Sequence, residues 1–264
     1  MLKNLITSAL LASGALAQGP VLVITPNMRA AVFGAGGTLA QLARQGRPVY
    51  IAVFGNEEKQ SANLGPAETR LANNEEGERA AKILGAKEVI NLGHKSGEFA
   101  YISSSEMRNQ VMTLTRLSKP EILFFPDWYV HYQDDHDIYR AGRMAEESPY
   151  GGSSYFLQEM SYLGHPGAAA RQYYFFVPYR PYRPREGGEG QATMKRVDIS
   201  DVMAVKLRAI EELKTSNQPN ATEFAEELAE TIGRKFNARY GEEFNHLRPV
   251  PGLPAHIRER VRSR

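Results

Sequence analysis

Short apolar runs that alternate with helix-forming segments occupy the first half of this sequence and restrict the fold that it can adopt. The apolar runs lie at residues 21–25, 48–54, 88–92 and 121–125. Continuous runs of this kind, rich in β-branched side chains, are typical of buried parallel strands. Amphipathic segments follow them at residues 35–44, 67–84, 103–117 and 137–147. This alternation predicts an α/β fold with a doubly wound, mainly parallel sheet.

The second half of the chain has a weaker pattern. Two further strands are expected at residues 155–162 and 172–177, and two helices at residues 201–214 and 222–239. Residues 178–190 are rich in proline, arginine and glycine, which predicts a surface loop. The tail after Phe244 has no clear period. Because no repeat or change of composition marks a boundary, a single domain over residues 18–264 is expected.

Composition excludes several classes of function. The 264 residues include 32 Lys and Arg and 30 Asp and Glu, a balance too even to indicate a nucleic-acid partner. There is no cysteine, so disulfides, thiolate metal sites and cysteine nucleophiles are excluded.

Residues 1–17 have the features of a signal peptide. Lys3 precedes an apolar stretch, and Ala15 and Ala17 form a small-x-small cleavage site that would leave Gln18 as the new N-terminus. The alternative is a short buried N-terminal helix. The signal peptide is favoured, because the stretch is too short to span a bilayer as a stable anchor. The sequence therefore predicts export to the periplasm or the medium, with no membrane span after cleavage.

Glycines follow the first predicted strand at Gly34, Gly36 and Gly37. A dinucleotide-binding fingerprint needs another glycine at position 39, where this chain has Leu39. The glycines are better explained by a tight turn and by close packing of a helix on a strand, and no cofactor-binding residue is predicted here.

The loop after the fourth predicted strand, residues 131–137, combines histidines with carboxylates. It holds His131, Asp134, Asp135, His136 and Asp137, directly before a predicted helix. Carboxylates beside histidines on such a loop are typical of metal ligation or general acid catalysis. The alternative is that the aspartates cap the following helix.

Together the two loops resemble the LmbE/PIG-L type N-acetylglucosaminyl deacetylases. The first motif of that family reads His-Pro-Asp-Asp-Glu and stands directly before a glycine-rich turn, and its second motif reads His-x-Asp-His. Further similarities in order and spacing lie at residues 34–40, 76–85, 92–94, 197–199, Lys206, Ser216, Gln218 and 240–244. The resemblance implies a Rossmann-like fold, a zinc ion, and hydrolysis of acetyl groups on amino-sugar or glycan-like molecules. It also implies that the histidine and second aspartate of the first motif bind the metal, with the first aspartate as general base.

The first motif departs from the family at the residues that carry the chemistry. Asn27 stands at the first metal histidine, Arg29 at the general base and Ala30 at the metal aspartate. A catalytic zinc site needs three protein ligands, and Asn27 is a poor, neutral oxygen donor. At ~4 Å and an effective dielectric constant near 20, each unit of charge repulsion between Arg29 and a dication costs about 4 kcal/mol. The sequence therefore predicts a lost zinc site and an inactive member of the family.

The second motif can be aligned in two registers. One aligns Asp135 and His136 with the closing Asp-His pair and puts Gln133 at the leading histidine. The other makes His136 the leading histidine and puts Tyr139 at the ligand position. We adopt the first register, which leaves Asp135 and His136 as the surviving catalytic candidates and His136 as the surviving metal ligand.

Two other functions remain open. An active amidase could use a rearranged metal site formed by the second loop, from His131 to His136, together with His94. Alternatively, the tyrosines and arginines of residues 173–185 could bind sugar rings or a protein partner, although a solvated surface loop has the same composition.

Overall fold

Seven strands and seven α-helices form the described part of the chain. The computed structural model describes residues 19–59, 61, 63–130, 135–148, 152, 155–183 and 193–247. The strands are β1 (Val21–Thr25), β2 (Val49–Gly55), β3 (Glu88–His94), β4 (Ile122–Pro126), β5 (Gln172–Phe176), β6 (Thr193–Asp198) and β7 (Gly241–Leu247). The helices are α1 (Met28–Arg44), α2 (Pro66–Ile83), α3 (Ser104–Ser118), α4 (His136–Glu146), α5 (Gln158–Tyr162), α6 (Met203–Glu212) and α7 (Ala221–Gly233).

The strands form a single sheet in the order β3-β2-β1-β4-β5-β7-β6. The first five strands pair in parallel, while β7 pairs antiparallel to both β5 and β6. The prediction of a mainly parallel, doubly wound sheet is therefore confirmed. The chain runs outward from β1 to β3 and then crosses to β4 on the other side of β1. Loops diverge at the carboxyl ends of β1 and β4, where doubly wound sheets form a ligand-binding crevice.

Helices cover both faces of the sheet. Successive residues of a strand point to opposite faces, so Val21 and Val23 belong to the core cluster that residues of α1, α2, α6 and α7 complete, whereas Leu22 and Ile24 belong to the cluster that residues of α3 and α4 complete. All four side chains are fully buried. The continuous apolar run of β1 is explained by this double coverage.

The glycine-rich segment lies inside α1, so the predicted tight turn is wrong and the predicted close packing is confirmed. Helix α1 begins at Met28, well before the predicted start at residue 35. A Cβ atom on Gly34 would lie 2.3 Å from Cδ2 of Phe176 in β5, and one on Gly37 would lie 2.8 Å from Cδ1 of Ile199. The missing side chains let the helix approach the sheet and the segment before α6.

One predicted strand in the second half of the chain is wrong. Residues 155–162 do not form a strand; the segment contains α5, and Tyr155 and Tyr162 are strongly exposed rather than alternating into a core. The sequence analysis also assigned no strand to β7, which begins before Phe244 and continues into the tail that has no clear period, and whose buried side chains include Glu242, Glu243 and Asn245. Hydrophobic periodicity cannot identify a strand that buries carboxylates and amides on polar partners.

Residues 1–18 lie outside the described residues, so the signal peptide, its cleavage and export remain predictions. Within the described ranges, no helix has both the length and the apolar character needed to cross a bilayer.

Candidate functional site

Asn27 ends the loop after β1 and serves as the N-cap of α1. Its Oδ1 accepts a hydrogen bond of 2.8 Å from the N–H of Ala30, and its side chain is buried. Asparagine is among the preferred N-cap residues because its side chain satisfies an otherwise unpaired helical N–H. The oxygen that stands at the first metal-ligand position is therefore used by the helix itself.

Arg29 projects from the first turn of α1 onto aromatic rings. Its guanidinium carbon lies 4.9 Å from the ring centroid of Tyr179 and 5.5 Å from that of Phe33. Contacts of this kind attract a cation to the ring face and hold it in place. Its Nε atom is buried and has no hydrogen-bond partner among the described residues.

Ala30, which the resemblance aligns with the metal aspartate, is fully buried and offers no ligand atom. The residues at the first motif are thus an amide engaged in capping, a guanidinium and a methyl group. Zinc in proteins takes histidine nitrogen, cysteine sulfur or carboxylate oxygen, so this donor set does not fit the metal that the family uses. Among the residues that the structure describes, no group of three or more histidines, aspartates or glutamates could hold a metal ion.

The second motif lies at the start of α4. Asp135 is the N-cap, and its Oδ1 accepts the N–H groups of Asp137 at 2.9 Å and Ile138 at 3.1 Å. The capping alternative therefore holds for Asp135. His136 is the first residue of the helix and is exposed. His131, Gln133 and Asp134 lie outside the described residues.

Two further residues of the second motif are held by local contacts. The carboxylate of Asp137 accepts the N–H groups of Gly97 at 2.5 Å and Phe99 at 3.1 Å. Burial raises the pKa of Asp137, and those two N–H groups oppose the shift. Tyr139, the ligand position in the second register, directs its ring edge to Trp128 with 5.8 Å between centroids.

A close approach of backbones fixes α4 on the end of β4. A Cβ atom on Gly142 would lie 2.1 Å from the carbonyl oxygen of Pro126. We expect Gly142→Ala to lower the free energy of unfolding by about 1–3 kcal/mol, since a backbone atom must move to admit the methyl group. Gly36→Ala is the matched control, because its Cβ would be 3.5 Å from Lys206 Cγ, an ordinary contact inside a helix. Urea unfolding checks both, and equal effects of the two substitutions would contradict the prediction.

His94 and the aromatic segment were candidates for the alternative functions. His94 ends β3, where its Nε2 hydrogen-bonds Gln110 Oε1 at 2.7 Å and its ring stacks on Phe54. In the segment of residues 173–183, Tyr173, Tyr174 and Tyr182 are buried. They are therefore not available to stack on a ligand. Residues 184 and 185 lie outside the described residues.

Tyr182 instead ties its segment to the carboxyl end of β4. Its hydroxyl donates to Asp127 Oδ2 at 2.8 Å, and the Nδ2 of Asn245 donates to the same oxygen. Burial, with the neighbouring Asp127 carboxylate, raises the pKa of Tyr182 well above its usual value. The Tyr182 hydroxyl also lies 3.0 Å from the carbonyl oxygen of Phe175, so this network joins the end of β4 to β5 and β7.

Glu57 was not identified by the sequence analysis. It follows β2 in a left-handed conformation, with φ of 59°, and its Oε1 accepts the N–H of Met28 at 2.5 Å. The Nδ2 of Asn73 donates to the Glu57 carbonyl at 2.8 Å. Burial raises the pKa of Glu57 to about 7, the Met28 N–H opposes this shift, and Glu76 adds to it.

Charged groups of both motifs act on one tyrosine. Burial raises the pKa of Tyr179; Arg29 opposes the shift, while Asp135 and Glu57 add to it. The structure therefore brings Arg29 and Asp135, predicted from separate loops, into one electrostatic environment.

An open cleft of about 780 Å³ lies beside Arg29. Its walls expose polar and apolar surface in nearly equal parts and come from α1, the segment after β2 and the segment after α6. The described lining residues are Arg29, Lys59, Ser61, Asn63, Leu64, Lys214, Thr215, Ser216, Asn217, Gln218 and Pro219. Ser216 and Gln218 were noted in the sequence, whereas Lys59 and Lys214 carry no motif that would identify them.

Comparison with known proteins gives consistent similarities. The sequence profile described as PIG-L, GlcNAc-PI de-N-acetylase, matches residues 23–145. Over 241 residues the chain is 27% identical to the diacetylchitobiose deacetylase of Thermococcus kodakarensis, a match covering 90% of this chain and 85% of the relative.

Two solved structures show how widely the fold is shared. The N,N'-diacetylchitobiose deacetylase from Pyrococcus horikoshii, complexed with its inhibitor MPG, superposes with a TM-score of 0.76 at 25% identity over 90% of this chain and 85% of that one. GalB, the 4-carboxy-2-hydroxymuconate hydratase from Pseudomonas putida KT2440, gives 0.69 at 20% identity over 89% and 98%. The second likeness concerns the fold alone.

Proposed function

Because this chain belongs to the PIG-L (LmbE) family, we propose that it keeps the deacetylase fold as a binding protein for a sugar-like ligand and lacks metal-dependent deacetylation. The observation that carries the proposal is the state of the first motif. Asn27 gives its oxygen to the N–H of Ala30, and Arg29 places a permanent positive charge beside it. Both features disfavour a bound dication.

Loss of the base supports the same proposal. A guanidinium remains protonated at physiological pH and accepts no proton, so Arg29 cannot take one from an attacking water. In this family a bound metal supplies an activated water, and the residues at positions 27, 29 and 30 of this chain do not provide for it.

The cleft supports retained binding. Its volume of about 780 Å³ lies within the usual range for small-molecule sites. Six of its eleven described lining residues carry a hydroxyl or amide side chain, and apolar surface makes up about half of the walls, a mixture that suits the hydroxyl groups and ring faces of a sugar. The T. kodakarensis and P. horikoshii relatives are named for an amino-sugar disaccharide, which makes a sugar-like ligand the natural choice.

Zinc content tests the inactive half of the proposal. We expect elemental analysis of the purified protein to give less than about 0.1 zinc per chain, and about one zinc per chain in the triple variant Asn27→His, Arg29→Asp, Ala30→Asp. The triple variant should also release acetate from N,N'-diacetylchitobiose, whereas the unmodified protein should not. A thermal unfolding transition must first confirm that the variant is folded, because position 30 is fully buried.

Further variants identify the residue of the second motif that would bind the zinc ion. In the triple variant, His136→Ala should abolish zinc binding in the register that we adopt, while Tyr139→Phe should leave it unchanged. Zinc at about one per chain in the unmodified protein, removed by His131→Ala, would overturn the proposal in favour of an active amidase with a rearranged site.

A further inference from the structure

Positive charge is concentrated in the cleft described above. Arg29, Lys59 and Lys214 are among its described lining residues, and none of those residues is acidic. The whole chain, in contrast, has 32 basic and 30 acidic residues. Three cations without a carboxylate therefore represent a local segregation of charge, which favours anionic ligands.

The three cations differ in how they are held. Lys59 lies at the rim, where its Nζ is 3.6 Å from Glu98 Oε1 and both side chains are well exposed. Lys214 is exposed and forms no ion pair with any described residue. Arg29 is half-buried and fixed by Tyr179 and Phe33, so it loses little conformational freedom when a ligand binds.

Apart from Glu98, which lies 3.6 Å from Lys59 at the rim, the carboxylates near the cleft accept hydrogen bonds from other groups. Glu76 accepts the N–H of Thr215 at 2.8 Å and its hydroxyl at 2.9 Å, and Glu57 accepts the N–H of Met28. Neither carboxylate forms an ion pair with a cation of the cleft in the part of the chain that the structure describes. The guanidinium of Arg29 keeps its charge available to a ligand.

Two buried polar atoms of the cleft residues lack partners among the described residues. They are Nε of Arg29, a donor, and Oδ1 of Asn217, an acceptor. Both atoms are shielded from solvent, so a ligand in the cleft meets the other polar atoms of these two residues. A carboxylate or phosphate matches the donor groups of the Arg29 guanidinium, and a sugar hydroxyl matches the side-chain amide of Asn217.

We propose that the cleft selects an acidic sugar, with a carboxylate or phosphate group bound by Arg29 and sugar hydroxyls bound by the walls that include Asn217. The sugar part of this inference rests on the proposed function, whereas the anionic part rests on the cleft alone. Position 29, which holds the general base in the family, thus becomes the specificity-determining position of this chain.

Calorimetric titration with four probes tests the inference: glucuronate, N-acetylglucosamine 6-phosphate, neutral N-acetylglucosamine and inorganic phosphate. At least one acidic sugar should bind tenfold or more tightly than the neutral sugar, as expected for a charge-assisted bidentate contact, on the order of 1.4 kcal/mol per tenfold. Arg29→Gln should remove that advantage and change binding of the neutral sugar less than about twofold. Arg29→Lys should retain part of it, because the charge remains and the fork is lost.

Two further variants control for folding and for net charge. Lys214→Gln is exposed and should weaken acidic-sugar binding by about two- to threefold, so it keeps the test valid if Arg29→Gln does not fold. Arg239→Gln removes an equal charge and a similar cation–ring contact, of 4.9 Å to Tyr240, away from the cleft, and should have no effect.

The outcomes separate the two proposals. Equal binding of neutral and acidic sugars, unaffected by Arg29→Gln and Lys214→Gln, overturns the anionic inference and supports sugar binding. Inorganic phosphate binding as tightly as the phosphorylated sugar, and lost in Arg29→Gln, supports the anionic part and overturns sugar binding. If none of the probes binds, both proposals fail.

Discussion

Glu242→Ala is expected to lower the free energy of unfolding by about 3–5 kcal/mol, the largest effect of a single substitution predicted for this protein. Glu242 and Lys206 are each only 2% exposed, and their Oε1 and Nζ atoms lie 2.7 Å apart. The Glu242 carboxylate also accepts the N–H groups of Gly37 at 2.9 Å and Thr38 at 2.8 Å. Its removal leaves a buried ammonium without its counter-charge and two buried N–H groups without their acceptor.

Equilibrium unfolding in urea measures the effect. Asp201→Ala is the control, because Asp201 pairs with Arg44 at the surface, where the two side chains are 50% and 60% exposed. Exposed ion pairs contribute little, so the control should change the free energy of unfolding by less than about 1 kcal/mol. If Glu242→Ala also lowered the free energy of unfolding by less than about 1 kcal/mol, the buried pair would not be holding α1, α6 and β7 together.

The second large prediction concerns pH. Because burial raises the pKa of Glu57 to about 7 in the folded protein, compared with 4.5 as its ordinary value, the folded state binds more protons between those values. The contribution of Glu57 to stability is therefore present below about pH 4.5 and is lost as the pH rises through about 7. The corresponding free energy is on the order of 3 kcal/mol, at about 1.4 kcal/mol per unit of pKa.

Glu57→Gln isolates this contribution, since the amide oxygen can still accept the N–H of Met28 and carries no charge. The difference in stability between variant and unmodified protein should grow in favour of the variant from pH 4.5 to 7 and then stay constant. Glu98→Gln is the control: Lys95 lowers the pKa of this exposed carboxylate, so its removal should give no gain above pH 7. If the difference in stability between Glu57→Gln and the unmodified protein stayed constant from pH 4.5 to 7, the raised pKa of the Glu57 carboxyl would be contradicted.

Apolar patterning made the first half of the fold predictable. The runs that became β1, β2 and β4 are buried strands, which explains their apolar side chains. The run that became β3 lies at the edge of the sheet and has no buried residue, so the predicted strand is confirmed there, whereas the predicted burial is wrong. Positions 27, 29 and 30 could be compared with the family because they sit at a fixed distance from a buried strand and a glycine-rich segment. The sequence therefore identified the fold, and it predicted the positions at which this chain departs from the deacetylases.

The helical state of the glycine segment was not predictable from local pattern. Glycine is unfavourable in the interior of a helix, so the local sequence argues against one here. The glycines are explained only by the side chains packed against α1, such as Phe176, which leaves no room for a Cβ atom on Gly34. Likewise β7 carries glutamates, and charged side chains are ordinarily expected on the surface. Their burial depends on Lys206 and on the backbone N–H groups of α1, which approach only in the folded state.

By itself, the sequence determined the doubly wound architecture, and through the family resemblance it predicted that Asn27, Arg29 and Ala30 stand at the family's ligand and base positions. Only the tertiary structure decided which groups share an environment there. It placed Lys59 and Lys214, distant in sequence, on the walls beside Arg29, and it buried Glu57 against the start of α1. The physical reason is that electrostatic interaction and burial depend on distance in space, whereas motifs record only distance along the chain.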